Sequence, residues 1–359
     1  MDKHTHKKLR IGITIGDING VGPEIILKAF LDQRLKDMCT PILYGSSRVI
    51  NIYRKVLKIN KFNYHICKTP SQAQSKRLNI IECISEVDRV DIGKPSEAGG
   101  KGAYLAIKRA VEDAQHKEID ALVTMPVDKA SFQTQHPDFT GHTELLAKAF
   151  SIEDNLMLMA SEQLKVGLVT NHLSIKEVPL NISTARIVKK IKIMNECLKM
   201  DFNIQRPQIA VLGLNPHAGD KGLIGNEEQE MISKAIAQLR EEGILATGPY
   251  PADGFFGALT YRSFDGTMAM YHDQGLIPFK LIAGFGGVNY TAGMPFVRTS
   301  PDHGVAYDIA GKDIASPESF RQALYLAIDV YRSRNENQEL VEHALKPGIV
   351  KLKEEKGPA

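Results

Sequence analysis

The chain predicts an α/β protein built on a largely parallel sheet flanked by helices. Short β-branched or apolar runs alternate with apolar stripes at helical spacing over most of its length. Turns rich in glycine, proline and asparagine separate them. Three of the runs end in a polar cluster that contains histidine, as expected where the strands of an open sheet deliver ligand-binding loops at their carboxyl ends. At 359 residues the chain is longer than one core usually serves, so two domains are expected.

Residues 9–15 alternate as a strand and run into Gly16-Asp17-Ile18-Asn19-Gly20-Val21-Gly22-Pro23-Glu24. Pro23 suits the first turn of a helix, where its missing N–H costs nothing. The stretch reads equally as an anion-holding helix start or as a structural turn, and it contains no GxGxxG fingerprint. Residues 40–44 form a second strand, and Gly45-Ser46-Ser47 opens a helix. Residues 60–95 read as strand and loop. Ala103, Ala106, Ile107, Ala110, Val111 and Ala114 line a helix, and residues 119–124 form a strand stopped by Met125-Pro126, with Asp128 and Lys129 beyond it.

Residues 138–144 form a polar turn feeding a helix with Leu145, Leu146 and Phe150 on its apolar side. Ser183 caps a helix carrying Ile187, Val188, Ile191 and Met194. Residues 218–222 read as a mobile loop, Asn226 as the N-cap of a helix with Glu227 and Glu228 in its first turn, and Gly243 as that helix's end. Residues 248–256 read as a turn-rich loop centred on Asp253-Gly254, and 283–287 as a flexible loop. Ser316-Pro317-Glu318 starts a final helix.

The chemistry concentrates in Thr170-Asn171-His172, Asn215-Pro216-His217 and Tyr271-His272-Asp273. Each follows a strand-like run, so the three imidazoles are expected at one edge of the sheet. There they suit a divalent metal that keeps open positions, as catalysis requires. Asp273 and Asp253 are positional candidates for a general base, or for a group that orients an imidazole. His142 is a third candidate base, because its ordinary pKa lies nearest neutrality.

Bulk properties exclude other classes. A formal net charge of +3 argues against nucleic acid, and no apolar run reaches membrane-spanning length. Cys39, Cys67, Cys83 and Cys197 form no CxxC pair, which fits a reducing, cytoplasmic setting. The first ten residues lack the apolar core of a secretory signal. His4 and His6 in that tail, and residues 354–359, read as frayed ends. Clusters such as Lys189, Lys190 and Lys192 read as solvated faces.

With these stretches in hand, the sequence resembles the 4-hydroxythreonine-4-phosphate dehydrogenase family of pyridoxal phosphate biosynthesis. The motifs that carry the resemblance are Gly16-Asp17 through Glu24, Gly141-His142-Thr143-Glu144, Asn215-Pro216-His217-Ala218-Gly219, Tyr271-His272-Asp273-Gln274-Gly275 and residues 298–304. Residues 303–312 also resemble the adenosine-binding loop of isopropylmalate and isocitrate dehydrogenases. The resemblance implies an isopropylmalate-dehydrogenase-like fold with an active-site cleft between two domains. One is discontinuous and cofactor-binding, 1–133 plus 300–359; the other, 134–299, carries the metal ligands and dimer interface. It implies His172, His217 and His272 as ligands of zinc, magnesium or cobalt, one of them donated by the partner in a homodimer. His142, Thr143, Lys280, Asn289 and Arg298 become substrate contacts, and His303, Gly304 and Asp308 cofactor contacts. Asp308 favours NAD over NADP, since a carboxylate repels a 2′-phosphate.

The implied reaction oxidises a phosphorylated hydroxy amino acid, 4-phosphohydroxy-L-threonine, to a 3-oxo acid that decarboxylates to 3-amino-2-oxopropyl phosphate. Within the same family the rival is a 4-phospho-D-threonate or 4-phospho-D-erythronate dehydrogenase. Outside it the rival is a redox-free, metal-dependent hydrolase or aldolase of phosphosugars.

Overall fold

The computed structural model describes residues 8–84, 89–139 and 141–343; His4, His6 and residues 354–359 lie outside them. The strands are β1 (Arg10–Thr14), β2 (Thr40–Gly45), β3 (Tyr64–Cys67), β4 (Leu78–Glu82), β5 (Ala121–Thr124), β6 (Leu156–Ala160), β7 (Lys165–Leu168), β8 (Gln208–Leu212), β9 (Leu245–Tyr250), β10 (Gly266–Ala269), β11 (Val288–Ala292) and β12 (Val297–Pro301). The helices are α1 (Gly22–Phe30), α2 (Gln33–Met38), α3 (Ser47–Val56), α4 (Glu97–Gln115), α5 (Lys129–Gln133), α6 (His142–Ala149), α7 (Thr184–Met200), α8 (Ser233–Glu241), α9 (Ala252–Gly257), α10 (His272–Ala283) and α11 (Glu318–Glu342).

Among the described residues the strands make one sheet in the order β3-β4-β2-β1-β5-β12-β11-β6-β7-β10-β8-β9. Two parallel blocks compose it. The first runs from β3 to β12, the second from β7 to β9. Between them the junctions β12–β11, β11–β6 and β6–β7 are all antiparallel, so the blocks point in opposite directions. β12 is made late in the chain yet sits in the middle of the sheet, wedged between β5 and β11 and buried along its whole length. α11 packs across β12, β5 and β11, and α4 covers β1, β2 and β5. Apolar residues of both blocks, from Ile11 and Ile13 to Ile209 and Met268, join one large core.

The glycine-rich turn after β1 is a socket for the later chain. Gly20 and Gly22 pack against Val305 and the Ile15 carbonyl more closely than any Cβ would allow. Asp17 is buried and accepts a hydrogen bond from the Tyr307 hydroxyl at 2.7 Å, and burial raises its pKa. Glu24, fully buried, accepts the backbone N–H groups of Gly311 (2.8 Å) and Ala315 (3.2 Å). The anion at this turn is the protein's own carboxylate.

Several local expectations need correction. Asn226 is not the cap: a π-helical turn, Glu228–Ile232, precedes α8, and Glu227 occupies the cap position. Glu228 is buried and hydrogen-bonded to the preceding loop rather than sitting at an exposed helix start. The expected mobile loop at 218–222 is a compact left-handed turn. The expected turn-rich loop at 248–256 is the end of β9 followed by α9, which puts Asp253 in a helical first turn. Lys190, read as solvated, donates to the Asn155 carbonyl, and burial lowers its pKa. Cys39, Cys67 and Cys197 are buried and Cys83 is partly so.

Candidate active site

Where the two blocks meet, a cleft of about 290 Å³ opens at the end of β5, the start of α6 and the segment after β12. Its floor is Arg298, on the wedged strand and only 3% exposed. Each flanking strand supplies a threonine. Thr124 Oγ1 accepts from Arg298 Nε (3.0 Å) and Nη2 (2.6 Å), and Thr291 Oγ1 accepts from Nη1 at 3.3 Å. No carboxylate among the described residues hydrogen-bonds to this guanidinium. Burial lowers its pKa to about 10, and a buried cation held only by hydroxyls favours an anion arriving from the cleft.

Other polar groups around it are also unsatisfied. His142 Nε2 and Asn289 Oδ1 are buried without a hydrogen-bond partner, and so is His303 Nε2, while all three residues line the cleft. Buried polar atoms are nearly always paired, so three orphans in one place mark a ligand's position. His142 is the first residue of α6 and rests edge-on against Phe139, which stacks on Phe132. Burial, reinforced by Arg298 and Lys129, pushes its pKa down to about 3. In the unliganded cleft His142 is therefore neutral, which removes the reason for reading it as a base tuned near neutrality. Thr143 lines the same wall.

Lys280 reaches across from α10 to Asp302 at 3.2 Å. Burial raises the Asp302 pKa, and Lys280 opposes that shift. Sequence reasoning missed Asp302 and Lys129 as cleft residues. Their signal was position alone: Lys129 follows β5 and Asp302 follows β12, parallel neighbours whose ends share one edge.

The imidazoles lie on the second block. β7, β10 and β8 are adjacent and parallel, so the segments carrying His172, His272 and His217 leave one edge of the sheet. The structure brings only two of the rings together. His172 and His272 have centroids 5.7 Å apart, a spacing that suits two imidazoles each placing a nitrogen about 2 Å from one ion. Asp273 Oδ1 lies 2.7 Å from His272 Nδ1, which leaves Nε2 free. Burial lowers the His172 pKa, favouring the neutral form a metal needs. His217 is exposed on the left-handed turn, and no three-ligand cluster forms within one chain among the described residues. Each non-glycine residue in that conformation costs about 1–2 kcal/mol.

The remaining candidates stand apart. Asp253 is exposed on α9, outside the cleft's lining. His303 Nδ1 lies 2.9 Å from the Gly304 carbonyl, and there is open space beside the Gly304 backbone. Asp308 is exposed among turns, with no helix at Ile309 for it to cap. An open backbone, an unpaired imidazole nitrogen and a free carboxylate suit the adenosine end of a dinucleotide.

Comparison with known proteins agrees with this site. Residues 37–327 match the family model described as pyridoxal phosphate biosynthetic protein PdxA. A Bacteroides thetaiotaomicron relative named 4-hydroxythreonine-4-phosphate dehydrogenase is 49% identical over 328 residues, spanning 91% of this chain and 90% of its own. A protein of Oceanobacillus iheyensis, provisionally named D-threonate 4-phosphate dehydrogenase, is 38% identical and spans 90% of this chain and 98% of its own. The crystal structure of 4-hydroxythreonine-4-phosphate dehydrogenase from Klebsiella pneumoniae superposes with a TM-score of 0.80 at 34% identity, over 90% of this chain and 100% of that one. The chain belongs to the PdxA family of pyridoxal phosphate biosynthetic proteins.

Proposed function

We propose that this chain is a 4-hydroxythreonine-4-phosphate dehydrogenase: it oxidises the secondary alcohol of 4-phosphohydroxy-L-threonine to a 3-oxo acid, which loses carbon dioxide to give 3-amino-2-oxopropyl phosphate. The observation that carries this reading is the buried, carboxylate-free guanidinium of Arg298, surrounded by the orphaned atoms of His142 and Asn289. Arginine offers phosphate or carboxylate a planar fork, and Lys280 adds a point charge once it exchanges Asp302 for substrate. Neutral His142 and Asn289 fix the polar groups between. Bound cofactors supply the rest: a nicotinamide accepts the hydride, and a divalent ion lends Lewis acidity to the alcohol oxygen. His172 and His272, the latter oriented by Asp273, would hold that ion; His303, Gly304 and Asp308 would hold the dinucleotide.

The third imidazole, on this reading, is His217 of a second copy. The segments that follow the three histidines expose apolar side chains: Ile175 and Leu180 after His172, Leu223 after His217, and Ile277 and Leu281 one turn apart on α10. Isolated apolar side chains on a surface are ordinary, but several flanking one candidate site suit an interface. A homodimer that buries them would bring a partner's turn to each imidazole pair.

Nicotinamide reduction followed at constant protein concentration tests the reading. 4-Phosphohydroxy-L-threonine with NAD is expected to turn over faster than 4-phospho-D-threonate or 4-phospho-D-erythronate, to yield an amino-ketone phosphate, and to stop with a chelator. Faster turnover of the sugar acids, with a dihydroxyacetone-type product, would replace the substrate. A clear preference for NADP would reject the role given to Asp308.

A further inference from the structure

His217 is the imidazole of the three that stands alone, and its backbone is held under strain. Residues 217 to 221 all have positive φ (53°, 50°, 78°, 41° and 56°), and of these only Gly219 is suited to it. Strain of this kind persists where the surroundings over-determine it. Here one side chain does most of that. Glu228, 3% exposed, uses Oε1 to accept the backbone N–H groups of Leu214 and Asn215, each at 2.7 Å, and Oε2 to accept Asn215 Nδ2 at 3.0 Å. A Cβ on Gly219 would lie 2.5 Å from Oε2, so the carboxylate also fills the inside of the turn. Glu228 itself opens the π-helical turn, a rare geometry found often at functional sites.

From the other side Gln274 ties the strand ends together. Its Nε2 donates to the Gly213 carbonyl at 2.6 Å, and its Oε1 accepts from Met270 N at 2.7 Å. The segment leading to His217 is thus fixed to the one leading to His272. Yet the imidazole so held has no hydrogen-bond partner among the described residues and faces outward.

We infer that Glu228 is a positioning residue, holding the left-handed turn so that His217 projects as a prebuilt ligand for a second copy's His172–His272 pair. The inference rests on the shared-site reading above. Full-length wild type, Glu228→Gln and His217→Ala are titrated with Co²⁺, read by visible absorption and calorimetry beside circular dichroism. Glu228→Gln is expected to keep the folded spectrum and to bind Co²⁺ about 10- to 100-fold more weakly. Adding Ala218→Gly and Lys221→Gly to that variant is expected to recover part of the loss, because glycine adopts the left-handed conformation freely.

Wild-type Co²⁺ affinity in His217→Ala would overturn the shared site itself. Weakened binding in His217→Ala with wild-type binding in Glu228→Gln would overturn the positioning role alone, as would glycines that restore nothing. Should Glu228→Gln fail to fold, Gly219→Ala replaces it, since its methyl presses the carboxylate out of the turn: loss of Co²⁺ affinity supports the role and wild-type affinity overturns it.

Discussion

Arg298 and His217 occupy opposite physical extremes of the proposed site. Arg298 lies in the middle of the sheet, fixed by hydroxyls from the strands on either side. His217 lies at the surface, on backbone held in an unfavourable conformation by a buried carboxylate. The anion-binding half of the cleft is therefore complete in one chain, with its cost recorded as a desolvated cation and three unpaired atoms. On our reading the metal-binding half is complete only between chains, with its cost recorded as strained backbone and uncovered apolar side chains.

The comparison breaks most easily at the histidines. His172→Ala and His217→Ala should each lower kcat by about 10³-fold. Mixing the two variants should restore roughly a quarter of wild-type activity, because half the random dimers then hold one intact site of two. Failure of the mixture to recover would place all ligands in one chain. Next in size, Arg298→Lys keeps the charge and loses the fork. A drop in kcat/KM of about 10²-fold is expected for the phosphorylated substrate, and a value near wild type would remove Arg298 from anion binding.

Leu281→Asp puts a charge on the exposed apolar face of α10. It should weaken self-association about tenfold or more by sedimentation, and make activity depend on protein concentration. An unchanged dissociation constant would move the interface elsewhere. The smallest effect concerns acid stability. Burial holds the His142 pKa near 3 against 6.5 in an unfolded chain. Between those values the unfolded state binds the extra proton, so the stability present above pH 6.5 declines as pH falls towards about 3. His142→Asn should flatten that decline in denaturant melts across pH 7 to 4, whereas parallel curves would contradict a buried neutral imidazole.

Much of this arrangement could be read before the structure. Local periodicity located β1, β2, α4 and α7, and the polar clusters after residues 170, 215 and 271 do leave one sheet edge. What could not be read depends on distant partners. Nothing near residue 298 says that its strand inserts between β5 and β11, so neither the threonine cradle nor the neighbouring Asp302 was visible. The turn at 217–221 was misread because four of its five residues are not glycine, and the carboxylate that enforces their conformation comes from Glu228. Asp253 followed a turn signal, Asp-Gly, that α9 overrides.

The wedged position of β12 also has a consequence for assembly. A nascent chain can pair β1 to β5 early and β6 to β11 later, but the edges of β5 and β11 stay uncovered until residue 301 leaves the ribosome. Unpaired edges invite association with other chains while they wait. Biosynthesis of this protein thus carries a window of exposure that closes late, and the same closing strand installs the arginine on the cleft floor.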